Sequence, residues 1–295
     1  MTLSFTSLVT PPTDQGPDKP YWFIFKKFGV LVYDNNGQLS LPRLHKLEEL
    51  GETAASTLLS ASVSDTLLRR HYMGYINTDP PIHCIAAELP EDAAAPAGMT
   101  FLGLRQLYGR IPDDLLWLAG RAVQIIDWDR THQFCSRCGT PPDILPHERA
   151  KKCPNCGFTT YPRLAPAVIV RIDRMINGVP HLLLARNHRF PRGFYSVIAG
   201  FVEPGETLED CVHREIKEEV GINVKEVRYF GSQPWPFPHS LMIAYTAVYA
   251  AGDLTLEEAE INDAQWFTAD NLPSIPPRMS IARRLIDDFV ENYGD

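Results

Sequence analysis

Hydrophobic and polar positions follow two periods along this chain. Near the start, YWFIFKKFGVLVYD from Tyr21 is rich in β-branched and aromatic residues and predicts strands broken near Lys26-Lys27. Asn35-Asn36-Gly37 then supplies a hairpin turn. Alternation between 61 and 90, including HYMGYIN and IHCIAAEL, predicts further strands. The period changes at Asp113-Asp114, which can cap a helix running through LLWLAGRAVQIIDWDRTH. Leu115, Leu118, Ala119, Ala122, Val123 and Ile126 form its apolar stripe. Residues 1–20, rich in Pro, Thr, Asp and Gly, predict an irregular lead-in, and 91–98 an Ala/Pro-rich loop. The first 130 residues thus read as a small α+β domain with no recognisable chemistry of its own.

After Tyr161-Pro162-Arg163 the alternation resumes. PAVIVRIDR, Asn177-Gly178 and VPHLLLAR predict strand, turn and strand, and FYSVIAG from Phe194 a third strand. Pro204-Gly205 makes a turn, Thr207 is a suitable N-cap, and Gly221 stops the helix that lies between them. Val212, Ile216 and Val220 form that helix's apolar ridge. VKEVRYFGS, SLMIAYTAVYA and AQWFT predict three more strands, the last after acidic LTLEEAEIND. Ser280 can cap a closing helix, IARRLIDDFVENY, with Ile281, Leu285, Ile286 and Phe289 on one side. This order predicts a mixed sheet flanked by helices, an α/β/α sandwich.

The length of 295 residues suggests two domains and a small insert, placed at 1–130, 131–160 and 161–295. No apolar run is long enough to cross a bilayer, and neither end reads as a targeting signal. A net charge of -8 argues against a broad nucleic-acid surface, though not against gripping one phosphate-bearing end. Four of the six cysteines stand in CxxC pairs; Cys84 and Cys211 are isolated and expected to be buried thiols. This usage predicts a reducing cytoplasm rather than a disulfide framework.

The paired cysteines are Cys135 and Cys138, then Cys153 and Cys156, with fourteen residues between the pairs. Two such knuckles complete a tetrahedral Cys₄ site for structural zinc, with no open position for catalysis. Such a site can supply about 10–16 kcal/mol, enough to fold an insert that lacks a core.

Catalytic chemistry is suggested by GFVEPGETLEDCVHREIKEEVGI, residues 200–222. Glu215, Glu218 and Glu219 are spaced i, i+3 and i+4 and share one helix face. Crowded carboxylates repel each other unless a cation sits among them, and oxygen ligands suit Mg²⁺ or Mn²⁺. A solvated acidic face would explain Glu218-Glu219 but not Gly200, Pro204-Gly205, Glu206, Arg214 and Gly221 at their intervals. These positions resemble the box of the Nudix hydrolases. The resemblance implies metal-dependent hydrolysis of a nucleoside diphosphate linked to another moiety.

A second stretch, Gln233-Pro234-Trp235-Pro236-Phe237-Pro238-His239-Ser240, alternates prolines with aromatics. Prolines stiffen an extended backbone, so Trp235 and Phe237 can form a wall for a planar base, with Gln233 and Ser240 as polar partners. By residue type alone, plain core packing of these aromatics is an equal alternative. SQPWPFPHS after such a box, with a zinc ribbon before it, is similar to the NADH pyrophosphatase (NudC-type) subfamily. The likeness covers the chain well from about Leu115 onward. It implies cleavage of NADH or NAD⁺ to a nicotinamide mononucleotide and AMP, and removal of NAD caps from RNA 5′ ends, by a homodimer. It implies metal ligation by the carbonyl of Ala199 and by Glu215, Glu219 and Glu260. Glu218 is a further ligand or proton acceptor, with the general base left open. Glu206 and Arg214 are expected to fix the loop-helix geometry. Tyr161, Phe201, Gln233 to Ser240, Ala282 and, across a gap, Arg105 match positions that contact substrate. The competing readings are a Nudix hydrolase of ADP-ribose or a related compound, a silent fold that only binds NAD or RNA ends, and a zinc-ribbon interaction protein.

Overall fold

The computed structural model describes residues 3–52 and 67–294. The chain divides into two compact units, Met1–Arg163 and Leu164–Asp295.

The first unit contains β1 (Phe5–Ser7), β2 (Tyr21–Lys26), β3 (Gly29–Asn35), β4 (Gln38–Ser40), α1 (Glu49–Glu52), β5 (Arg69–Ile76), β6 (Ile82–Glu88), β7 (Met99–Gly103), α2 (Leu104–Leu107) and α3 (Asp113–Thr131). The break at Lys26-Lys27 is the β2–β3 turn, with Lys27 at φ 54°. The Asn-Gly turn closes the β3–β4 hairpin, with Asn36 at φ 54° and Gly37 at φ 90°. The lead-in is not wholly irregular, because Phe5–Ser7 pairs antiparallel with β5. Of the strands expected between 61 and 90, β5 and β6 form, while 61–66 lies outside the described residues. Trp22, Ile24, Leu31 and Ile85 form a core on one sheet face with Leu44, Leu47 and Leu50. Helix α3 packs on β2, β5 and β6. The ribbon follows as β8 (Asp143–Ile144), β9 (Lys151–Lys152) and β10 (Thr159–Thr160), a three-stranded sheet in the order β10-β9-β8.

The second unit is the expected sandwich. It contains β11 (Ala165–Ile176), β12 (Val179–Asn187), β13 (Ile198–Phe201), α4 (Leu208–Val220), β14 (Asn223–Trp235), β15 (Ser240–Ala251), β16 (Ile261–Phe267) and α5 (Ile281–Tyr293). The sheet order is β14-β15-β11-β12-β16, and β13 also pairs with β11. Strand alternation sends Val168, Val170 and Ile172 to the α4 face, where Val212, Ile216 and Val220 meet them. Ile169, Leu182, Leu184 and Ala244 face Ile281, Leu285, Ile286 and Phe289 of α5. The strand expected from Phe194 is shorter, because Phe194 bridges to Ser274 and Ser196 to Ala185 before β13 begins.

The two units repeat one topology. In the first, β5-β6-β2-β3-β7 pair antiparallel, parallel, antiparallel and antiparallel in turn. In the second, β14-β15-β11-β12-β16 pair in that same series. Each ladder is followed by a long helix, α3 or α5. This internal repeat is not among the features read from the sequence.

Candidate functional site

The loop before α4 and the helix itself are fixed locally. Thr207 Oγ1 accepts a hydrogen bond from the Asp210 N–H at 3.1 Å, and the Asp210 carboxylate accepts from the Thr207 N–H. This capping box starts α4, and Gly221 at φ 76° ends it. Glu206 Oε2 accepts from the Glu203 N–H at 2.9 Å and closes the preceding turn.

Arg214 is the hub of the site. Its guanidinium donates to Glu206 through Nε and Nη2, to Glu215 Oε1 and Glu218 Oε2 through Nη1, and to the Phe201 carbonyl through Nη2, the last three at 2.9 Å. Hydrogen bonding from Arg214 holds the Glu206 carboxyl down at about 2. The same fork therefore ties the loop, β13 and the helix face together.

Gly200 permits the closest approach in the site. A Cβ there would lie 1.8 Å from Cδ of Glu215 and 2.1 and 2.2 Å from its carboxylate oxygens. Only a glycine lets that carboxylate rest on β13 beside Ala199. Burial raises the Glu215 pKa, with Arg214 opposing the shift. Glu219 is 7% exposed, and burial followed by the charges of Glu215, Glu260 and Glu218 pushes its carboxyl up to about 8. Among the described residues none donates a hydrogen bond to the Glu219 carboxylate.

Glu260 is far from α4 in sequence but is brought beside it by backbone bonds. The Thr255 N–H donates to the Val220 carbonyl and the Glu257 N–H to the Glu219 carbonyl, both at 3.1 Å, and the Glu260 N–H to the Glu257 carbonyl at 3.0 Å. Glu219 is thus a buried carboxylate near three others that receives no hydrogen bond among the described residues. Carboxylate oxygens are the donors a hard divalent ion takes, so this cluster fits such an ion.

Strand register aligns the second candidate stretch. Phe201 pairs with Ala167, Ala167 with Met242, and Met242 with Gln233, a line of three strand spacings, or about 14 Å. Phe201 is 60% exposed. Gln233 is buried: Nε2 donates to the Met279 carbonyl at 2.8 Å, and Oε1 accepts from the Ile281 N–H at 2.6 Å. Its amide braces the start of α5 and so positions buried Ala282. Pro234 and Trp235 end β14, but Pro236 to His239 form a turn rather than the extended backbone expected. Trp235 and Phe237 pack edge to face at 4.9 Å, half-buried, rather than forming a flat wall. Pro236 and Ser240 are buried, Pro238 is exposed, and His239 accepts from the Ala165 N–H through its carbonyl at 3.0 Å. Arg105, on α2, and Tyr161, 56% exposed, belong to the first unit.

The cysteines form two matching knuckles. Cys135 N–H donates to Thr140 and Gly139 N–H to Cys135; Cys153 N–H donates to Phe158 and Gly157 N–H to Cys153. Cys135 and Cys156 Sγ lie 3.6 Å apart, and Cys138 and Cys153 Sγ 3.4 Å apart. Four sulfurs about 2.3 Å from one zinc stand about 3.8 Å apart, so the quartet fits a tetrahedral ion. Cys84 and Cys211 are fully buried.

One network carried no motif. Asp129 of α3 accepts from Lys151 Nζ of the ribbon, binds His71 Nε2 at 2.6 Å, and accepts from Gln133 at 3.0 Å. His71, Asp129 and Lys151 are all buried. Burial opposes ionisation of Asp129, yet the hydrogen bonds from His71 and Lys151 outweigh it and depress its pKa. This cluster fixes the ribbon to α3 and β5 within the first unit.

Fold and site together define the class, and comparison with known proteins agrees. Residues 163–289 match the NUDIX domain, 19–128 the NADH pyrophosphatase-like rudimentary NUDIX domain, and 130–161 the NADH pyrophosphatase zinc ribbon domain. The rudimentary match accounts for the repeated topology. A protein of Deinococcus radiodurans named NAD-capped RNA hydrolase NudC is 52% identical over 202 residues, 68% of this chain and 72% of that one. One of the same name from Pseudomonas fluorescens is 37% identical over 290 residues, 98% of this chain and 95% of that one. The chain belongs to the Nudix hydrolases, in their NADH pyrophosphatase (NudC-type) branch with structural zinc. Among the described residues no helix is long and apolar enough to cross a membrane.

Proposed function

We propose that this enzyme hydrolyses the pyrophosphate bond of NADH or NAD⁺ to a nicotinamide mononucleotide and AMP, and removes NAD caps from RNA 5′ ends. The observation that carries the reading is the buried Glu219 carboxyl, set near Glu215 and Glu260 and receiving no hydrogen bond among the described residues. Glu215, Glu219, Glu260 and the Ala199 carbonyl are the residues that would hold Mg²⁺ or Mn²⁺, with Glu218 beside them. When bound, such an ion neutralises pyrophosphate charge and lowers the pKa of the attacking water. Arg214 holds Glu206, Glu215 and Glu218 in place, which supports in-line attack by positioning. The proton of the water passes to a carboxylate on the helix face. Tyr161, Phe201, the stretch Gln233 to Ser240, Ala282 and Arg105 contact the dinucleotide in this reading, Gln233 acting by bracing Ala282.

The reading also divides the chain at 1–130, 131–160 and 161–295, makes the protein a homodimer and puts it in the cytoplasm. Product analysis tests the activity. The purified protein is incubated with NADH, NAD⁺, ADP-ribose and NAD-capped RNA, with Mg²⁺, Mn²⁺ or chelator. Metal-dependent release of nicotinamide mononucleotide and AMP, or of 5′-monophosphate RNA, is expected. Turnover of ADP-ribose alone would remove the substrate assignment.

A further inference from the structure

The segment between Asp173 and Glu203 carries basic side chains and no acidic ones. It runs 29 residues without one acid, although the 295-residue sequence holds 36 Asp and Glu, and it carries Arg174, Arg186, Arg189 and Arg192 with His181 and His188. Part of this segment is the exposed loop His188-Arg189-Phe190-Pro191-Arg192-Gly193, which follows β12.

The loop is built, and it is tied to the catalytic face. His188 donates its N–H to the Glu260 carbonyl at 3.2 Å, and its Nε2 lies 2.8 Å from the Glu258 carbonyl. Asn187 caps the turn: its Oδ1 accepts from the Arg189 N–H at 3.0 Å and its carbonyl from the Phe190 N–H at 3.0 Å. Phe190 packs edge-on against Phe194 at 5.0 Å and remains 36% exposed. Arg189 and Arg192 are exposed, and among the described residues neither has an ion pair or a side-chain hydrogen bond. Two free guanidiniums flanking an exposed ring contribute little to the fold. They are the elements that hold single-stranded nucleic acid, cations for the backbone and a π-face for a base.

We propose that this loop is a contact surface for the single-stranded RNA chain that follows the cap, with Arg189 and Arg192 on phosphates and Phe190 under a base. The inference rests on the cap-removal reading. It gives the site a way to favour capped RNA over the free dinucleotide, in a protein whose overall charge repels nucleic acid.

Two phosphate contacts to a single strand contribute a salt slope of about -1.4, or about 25-fold in affinity between 1 M and 0.1 M salt. The test is anisotropy of a labelled, single-stranded, NAD-capped RNA of about ten nucleotides, with no divalent ion added so that turnover does not intervene. In Arg189→Ala/Arg192→Ala the Kd at 0.1 M salt is expected to rise about 25-fold, and the slope of log Kd against log salt to flatten by about 1.4. NADH turnover by the same variant with Mg²⁺ should stay within about twofold of wild type, which also checks folding. Arg189→Lys/Arg192→Lys, which keeps both charges, should restore most of the RNA affinity. An unchanged Kd, or equal losses for RNA binding and NADH turnover, would overturn the inference. Absence of NADH turnover in the wild type would instead sink the proposed activity, and the binding comparison would still judge the loop.

Discussion

Replacing Gly200 with Ala separates function from stability in this site. The added Cβ would stand 1.8 Å from Cδ of Glu215, so one of the two must move. The obstructed group is the end of a flexible side chain rather than backbone, and it yields. Pushing Glu215 off its rotamer costs about 0.5–1.5 kcal/mol. Losing its 2.9 Å bond to Arg214 costs about 1.5–3 kcal/mol at most, and less here because Arg214 keeps Glu206 and Glu218. The fold should therefore survive with a melting temperature lowered by only several degrees. Catalysis should not, because the displaced carboxylate leaves the ligand position proposed for it. The expected loss in kcat for NADH is at least about 100-fold, which is about 2.7 kcal/mol of barrier. Steady-state kinetics at saturating Mg²⁺, beside a thermal melt, reads both quantities. Turnover near wild type would refute the claim that Gly200 exists to seat Glu215. Global unfolding would refute the claim that the clash is absorbed locally.

Three further outcomes are expected. Glu219 is held protonated up to about 8 without metal, so ionising it costs stability increasingly as pH rises from its ordinary value of 4.5 toward 8. In the proposed ligation metal displaces that proton, so the thermal shift given by Mg²⁺ should grow between pH 6 and pH 8. In Glu219→Gln the pH dependence should vanish and kcat fall at least about 100-fold; a pH-independent shift in the wild type would contradict the assignment. Cys138→Ser should release zinc, read by a colorimetric chelator, and lower the melting temperature without rescue by Mg²⁺; full zinc retention would contradict a Cys₄ site. Asp129→Asn leaves Lys151 buried beside a neutral partner and should cost about 3–5 kcal/mol in urea unfolding. Because the Asp129 pKa is depressed, its contribution is present above about 3.8 and lost as pH falls below, so the variant should show a flatter acid limb.

Local chemistry made much of this protein legible in advance. The Thr207 N-cap, the Gly221 stop, the Asn-Gly turns and both cysteine knuckles are set by residues within a few positions of one another, and each forms where expected. The ridge Val212, Ile216 and Val220 meets the sheet as its helical period requires. The turn at Pro236 to His239 departed from expectation, because proline fixes its own φ and leaves the chain direction to what packs around it. The shortened third strand departed because Phe194 and Ser196 pair with different neighbours, a choice made by the sheet as a whole.

What the sequence determined by itself was therefore most of the elements, the zinc ribbon's four cysteines and the family, all carried by short spacings. Only the tertiary structure decided that Gly200 seats Glu215, that Gln233 spends its amide on α5, and that Lys151 neutralises Asp129. It also decided that the first unit repeats the strand order of the second. Each of these depends on groups brought together across the chain by burial, where desolvation and close packing select partners that no local spacing encodes.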